Sequence, residues 1–213
     1  MMSVFVFGAA RGAGRCVARL ATAQGTRAGA MVRSEKARDE LAEIGVAVVL
    51  GDALDAHACR RALEESGPWD AVISTMGGGE AAVDRIGICN AIDAASASGV
   101  RRFVLTSSLG VGSSRPFASA RLVEAIGPTL LAKEDSEKHL VASGLAWTIV
   151  RPGMLLSTPA TGGGVLDEDP SLHGSLTRED LAALLLACAG DPGTHGRIFG
   201  AVDHETRRYG RVT

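Results

Sequence analysis

A short apolar run, Val4-Phe5-Val6-Phe7, ends in Gly8-Ala9-Ala10-Arg11-Gly12-Ala13-Gly14 and passes into an amphipathic segment, and this junction constrains the fold more than any other stretch. It reads as a strand, a phosphate-binding turn and the start of a helix. Glycines in such a turn let the backbone approach a diphosphate with no Cβ in the way, and the free N–H groups and dipole of a helix beginning near Ala13 favour negative charge. Three glycines near the start of a chain that holds 27 also fit an ordinary tight turn, so the following segment carries weight. Cys16 to Gln24 suits a helix, Gly25 stands where it ends, and Arg27 to Val32 resumes an extended apolar run, completing one βαβ unit. A bound dinucleotide is the first inference.

Apolar runs recur at Val4–Phe7, Ala28–Val32, Val46–Leu50, Ala71–Ser74, Phe103–Thr106, Trp147–Val150 and Ile198–Ala201, separated by segments of helical spacing. Continuous apolar strands alternating with amphipathic helices imply a mostly parallel sheet covered on both faces, and right-handed crossovers make it doubly wound. The 213 residues, 46% of them hydrophobic, suit one α/β domain over 1–213, a single-domain Rossmann-type fold. Residues 107–128 and 153–177 depart from short connections. Both follow strands at their carboxyl ends, where ligands of open α/β sheets sit, so both are expected to wall a substrate pocket. Thr177-Arg178-Glu179-Asp180 resembles a capping box with aspartate in place of Glu or Gln, which puts a final helix on the sheet rather than in the site.

Several function classes lose support. The formal charge is −2 and no basic stripe with interleaved aromatics is present, so nucleic acid is not an expected partner. Cys16, Cys59, Cys89 and Cys188 are widely spaced with no Cys-x-x-Cys pair, which suits buried thiols in a reducing compartment. No apolar run approaches the ~18 to 20 residues needed to cross a bilayer, and the first run is too short for a signal peptide. A cytoplasmic protein with no membrane association is expected. No histidine pair has metal-ligand spacing and no Gly-x-Ser-x-Gly elbow occurs, so neither a metal site nor a serine hydrolase is expected.

Charge after the second strand speaks to the choice of dinucleotide. A chain selecting NAD usually presents Asp or Glu there to the adenosine ribose, whereas this one presents Arg33, and Arg11 in the glycine turn can approach the same ribose. Two guanidiniums favour a 2′-phosphate, so NADP(H) is expected over NAD(H). Asp52 and Ala53, after the third strand, are placed at the adenine, although a helix N-terminal acid is the plainer alternative for Asp52. Thr75-Met76-Gly77-Gly78-Gly79, after the fourth strand, gives the backbone access to the nicotinamide ribose; a flexible hinge is its competitor.

The chain resembles an atypical short-chain dehydrogenase/reductase of the compact NAD(P)-binding kind that includes the flavin and biliverdin reductases and the NmrA-like proteins. The resemblance spans nearly the whole length. It rests on the glycine turn, Val32-Arg33, Gly51-Asp52, the segment from Val83-Asp84 to Gly99-Val100-Arg101-Arg102-Phe103, Thr106-Ser107-Ser108, Lys133 with Glu137, and Ser143-Gly144-Leu145-Ala146-Trp147-Thr148-Ile149-Val150-Arg151-Pro152-Gly153. It implies that Gly8, Ala10, Arg11, Gly12, Ala13 and Gly14 hold the cofactor's phosphates. Thr106, Ser107 and Lys133 would lie along the cofactor, and Pro152, Gly153 and Met154 would flank the nicotinamide.

One departure bears on chemistry. The turn, with Arg11 where many compact members carry glycine, is similar to that of the tyrosine-dependent branch, in which a serine orients the carbonyl, a tyrosine donates the proton and a lysine lowers the tyrosine pKa. Ser108 matches the serine and Lys133 the lysine, but Thr129 stands in the tyrosine's place, and the chain's single tyrosine is Tyr209. An aliphatic hydroxyl is a poor general acid. The expected activity is therefore hydride delivery to a conjugated small-molecule acceptor, such as a flavin, quinone or tetrapyrrole, whose product takes its proton from solvent. His173, in the second long loop, is a catalytic candidate, with an exposed loop histidine as its alternative. Rival readings are a non-catalytic NADP(H) sensor or assembly factor, and an isomerase or epimerase that borrows and returns hydride. Oligomeric state stays open.

Overall fold

The computed structural model describes residues 2–77 and 80–211. Its elements in chain order are β1 (Ser3–Phe7), α1 (Gly12–Ala23), β2 (Arg27–Val32), α2 (Glu35–Ala42), β3 (Ala47–Leu50), α3 (Ala56–Ser66) and β4 (Ala71–Ser74). A π-helical turn (Val83–Gly87) then leads into α4 (Ile88–Ala97), followed by β5 (Arg102–Thr106), a 3-10 turn (Gly112–Phe117), α5 (Ala120–Ala142) and β6 (Ala146–Pro152). The last part holds β7 (Met154–Leu156), β8 (Gly164–Asp167), β9 (Leu172–His173), β10 (Ser175–Thr177), α6 (Arg178–Gly190), β11 (Arg197–Asp203) and β12 (Arg208–Tyr209).

The main sheet has the order β3-β2-β1-β4-β5-β6-β11-β8, parallel throughout except for β8, which runs antiparallel to β11. Strands covered on both faces need apolar side chains in both directions, and β1, β4 and β5 are buried along their whole length. One face packs Val4, Val6, Val104 and Val150 against Val17 of α1, Leu41 of α2 and Leu185 of α6. The other packs Phe5, Phe7, Phe103 and Ile149 against Leu63 of α3, Ile92 of α4 and Leu140 of α5. The chain therefore winds outward from β1 in one direction and from β4 in the other. The crevice between those two strands is the topological switch point, where open α/β sheets bind ligands.

Each of the seven apolar runs becomes a strand, with ends shifted by up to two residues, and Gly25, two residues past the end of α1, has φ +74°. Two expectations are corrected. The 153–177 stretch is not one long loop, because it contains β7 to β10, with β7 and β10 pairing in parallel and β9 pairing with β12. The 107–128 stretch is irregular only over 107–111 and 118–119, on either side of the 3-10 turn; α5 already begins at Ala120, capped by the Ser119 hydroxyl accepting from Leu122 N, and breaks at Ile126 before resuming through Pro128. No described helix is long and apolar enough to cross a membrane.

Candidate cofactor site

The glycine turn folds back onto the carboxyl end of β4. Gly8 has φ +91°, and a Cβ there would come within 2.8 Å of Thr75 Oγ1 and 2.9 Å of Met76 N. At Gly14, in the first turn of α1, a Cβ would overlap Gly8 O and Thr75 Oγ1. The reason for this closeness is that Thr75 N–H donates to Phe7 O (2.9 Å) and the Thr75 hydroxyl donates to the same carbonyl (3.2 Å). Thr75 thus supports the turn from beneath, its hydroxyl committed to the Phe7 carbonyl. Above it Ala10, Arg11 and Gly12 are exposed and Ala13 half-buried, and the first amides of α1 have no acceptor within the helix.

Arg33 emerges exposed directly after β2. Among the described residues neither Arg11 nor Arg33 has a carboxylate within ion-pair distance. Gly51 N–H donates to Val32 O (3.0 Å), which carries the end of β3 alongside Arg33. Asp52 Oδ1 accepts from Leu54 N (3.0 Å), and buried Ala53 is braced on α4, where Asn90 Nδ2 donates to its carbonyl (2.8 Å). The loop after β3 is therefore held on α4.

The feature that sequence reasoning missed lies below the β4 loop. Asp84, fully buried in the π-helical turn, places Oδ1 2.8 Å from Lys133 Nζ, and the lysine side chain is only 10% exposed. Gly77 sits directly over the pair: a Cβ there would be 2.5 Å from Asp84 Oδ1 and 2.6 Å from Lys133 Nζ. Lys133 also reaches Met76 O at 3.4 Å, while the Ser136 hydroxyl donates to Asp84 O at 2.5 Å. Gly78 and Gly79, the remainder of the expected nicotinamide-side run, lie outside the described residues. Glu137, grouped with Lys133 by the resemblance, pairs instead with buried Arg151, whose Nε and Nη2 donate to its two oxygens at 3.0 and 2.6 Å.

At the carboxyl ends of β4 and β5, Ser74 Oγ, Thr106 Oγ1 and Ser107 Oγ are buried without a hydrogen-bond partner among the described residues. Unpaired buried hydroxyls cost free energy, about 1–3 kcal/mol each, and a polar ligand at this edge relieves that cost. Together with the open turn amides, they fit the end of the sheet to a dinucleotide. Ser107 N–H donates to Val150 O (2.7 Å) and Leu109 N–H to Pro152 O (3.1 Å), which brings Ser108 beside Pro152 and Gly153. Ser108 is half-buried and its hydroxyl donates to Leu109 O (2.9 Å). Thr129 lies one helical turn before Lys133 in α5, half-buried. Met154 is 67% exposed. His173 is held on β9, its Nδ1 3.3 Å from Ser171 O, and Met154 N–H donates to Gly174 O beside it (3.0 Å); among the described residues its ring makes no hydrogen bond to Ser108, Thr129 or Lys133.

Two cavities open near these elements, and neither includes Ser108 or Lys133. One of about 220 Å³ lies alongside Arg151, Leu109 and Ser113, and is closed by Asp169 and Pro170, so parts of both long stretches do share a wall. The other, of about 470 Å³, lies between α1 and α6 and is lined by Gly12, Arg15, Cys16, Arg19, Ser157 to Pro159, Arg178 and Glu179. The start of α6 therefore borders the glycine turn as well as lying on the sheet. Burial, with Glu179 adding to it, pushes the Cys16 thiol up.

Residues 8–192 match the model of a family described as NAD(P)H-binding. The structure of ChuY, an anaerobilin reductase from Escherichia coli O157:H7, is 34% identical and superposes with a TM-score of 0.90, covering 97% of this chain and 100% of that one. An uncharacterized sugar epimerase, YhfK of Bacillus subtilis, is 33% identical over 184 residues, 83% of this chain and 82% of its own length. A short-chain dehydrogenase/reductase from Veillonella parvula in complex with NADP shares the fold at 18% identity, with a TM-score of 0.75 over 96% of each chain.

Proposed function

The chain belongs to the NAD(P)H-binding family and has the fold of its oxidoreductases, and from that premise we propose that it is an NADPH-dependent reductase acting on a flat, conjugated small molecule. The observation that carries this reading is the pairing at Lys133: no phenol stands one turn before it, and its ammonium is held by Asp84 at 2.8 Å. The site offers position and charge for a cofactor but no strong proton donor. Such a site suits an acceptor whose reduced form gathers its proton from water. The reductase description of ChuY, at 34% identity, supports the same reading.

Bound NADPH supplies hydride. The amides of Gly12 and Ala13 hold its phosphates, and Arg11 and Arg33, lacking acidic partners among the described residues, accept the 2′-phosphate. Asp52 and Ala53 border the adenine. Ser108, carried next to Pro152 by the extension of the β5–β6 pairing, orients the acceptor, and Pro152, Gly153 and Met154 flank the ring that reacts.

The test is NADPH consumption with a panel of flavins, quinones and linear tetrapyrroles. Turnover with at least one is expected; tight binding with no oxidation would turn the reading to a sensor. The description of YhfK favours a second reading, an epimerase that takes and returns hydride. Conversion of a sugar substrate with no net change in NADPH absorbance would establish it. For the cofactor, replacing both Arg11 and Arg33 with alanine is expected to weaken NADPH far more than NADH. Equal losses would reject the 2′-phosphate role.

A further inference from the structure

We propose that Arg178 is a phosphate-binding residue of the cofactor site, clamping the bridging diphosphate from the nicotinamide side; this rests on the NAD(P)H reading above. Its guanidinium stands against the glycine turn: a Cβ on Gly12 would lie 3.7 Å from Nε and 3.9 Å from Cδ. The side chain opens into the 470 Å³ cavity that Gly12 itself lines. Its protein acceptors are both neutral and both taken by one nitrogen, Nη1, which donates to Ser157 Oγ (2.8 Å) and Leu155 O (3.1 Å). Nε and Nη2 remain for a ligand.

The charges around it do not explain its presence. Arg15 is matched by Glu40 at 2.5 Å and Arg19 by Glu179, but among the described residues Arg178 has no carboxylate within ion-pair distance. It is also the first residue of α6, where the partial positive charge of the helix end makes a cation unfavourable. A guanidinium placed at the wrong end of a helix, unneutralised and a few ångströms from a phosphate-accepting turn, calls for an anion. Geometry selects which phosphate. α1 packs on β2 at one flank and on α6 at the other, while α6 lies over β4 and β5. Arg33 therefore meets the adenosine end, and Arg178 approaches the same turn from the nicotinamide flank. The phosphates it reaches are common to NADPH and NADH.

Binding of NADPH, NADH and adenosine 2′-monophosphate to the parent, Arg178→Gln and Arg178→Lys proteins separates the possibilities. Glutamine keeps an amide donor for Leu155 O and removes the charge. It should weaken NADPH and NADH alike by about ten- to a hundredfold, the size of a charge-assisted hydrogen bond, and leave adenosine 2′-monophosphate unchanged; lysine should recover part of the loss. Unaltered NADPH affinity in Arg178→Gln, or an equal loss for the monophosphate, overturns the assignment while leaving the cofactor reading in place. A parent protein that binds neither dinucleotide overturns both.

Discussion

Replacing Asp180 with asparagine tests how the α6 start holds the loop over the cavity. The buried Asp180 carboxylate accepts from Gly162 N (2.9 Å), Thr161 N (3.0 Å), Thr161 Oγ1 (3.0 Å) and Thr177 Oγ1 (2.7 Å). The Thr161 hydroxyl proton is shared with Asp203, so not all four bonds are made at once. Burial alone would raise this carboxyl's pKa, but the donors from Thr161, Thr177 and Gly162 outweigh it and hold it below the usual range. In asparagine one oxygen becomes an NH2 group, and in either orientation a backbone N–H then faces a donor. Hydrogen bonds to charged groups contribute about 1.5–3 kcal/mol each; with partial resolvation of an exposed loop, the net loss is about 2–4 kcal/mol. Urea unfolding at pH 7 would show it as a midpoint about 1–2 M lower for a slope of about 2 kcal/mol/M. The pH dependence has a definite sign. A carboxyl depressed in the folded state stabilises above its unfolded pKa, about 3.9, and that contribution is lost as pH falls through the folded value. The gap between the two proteins should therefore be constant above about pH 5 and shrink below about pH 4. Equal midpoints at pH 7, or a gap that widens on acidification, would refute the argument.

Gly14→Ala places a Cβ onto Gly8 O and Thr75 Oγ1, so the turn must open; isothermal calorimetry should show dinucleotide affinity lost while the circular dichroism spectrum stays that of the parent, and unchanged affinity would contradict the close approach of the two loops. Glu137→Leu leaves the Arg151 guanidinium buried without its acid and should cost about 3–5 kcal/mol in chemical denaturation, whereas Glu137→Leu combined with Arg151→Met should recover most of that. A double variant no more stable than the single one would show that the pair is not an isolated unit.

The sheet was legible in the sequence because β1, β4 and β5 are buried on both faces, and double burial writes itself as an uninterrupted apolar run. The elements after Pro152 were not. β9 and β12 are two residues each, and β8, Gly164–Asp167, is a half-buried edge strand with no apolar period of its own. The start of α5 was hidden by Gly127-Pro128, which reads as a stop although the helix tolerates it by breaking at Ile126. In the site, the glycine turn carried its own signal, since glycine spacing is a local property. The Asp84–Lys133 and Glu137–Arg151 pairs join residues from different elements, and nothing in the spacing said which acid would meet which base. Arg178 was passed over for a related reason. The capping pattern of α6 was readable, and Thr177 does cap Asp180 N (3.0 Å), but which neighbour that helix start would face depended on α1 and α6 lying side by side.

The contacts of Lys133 tie α5 to the residues that follow β4. A lysine that lowers a phenol's pKa acts through its unbalanced positive charge. Here Asp84 stands 2.8 Å away on the dry side of the loop, so the charge is largely balanced, and Thr129 offers no phenol for it to act upon. The ammonium instead reaches Met76 O, and Gly77 lies against both members of the pair. One residue earlier, Thr75 holds Phe7 O and supports Gly8. A continuous line of contacts thus runs from Asp84 through Lys133, Met76 and Thr75 to the glycine turn. The buried ion pair lies against Gly77 and reaches the carbonyl of Met76, joining α5 to the backbone that leaves β4.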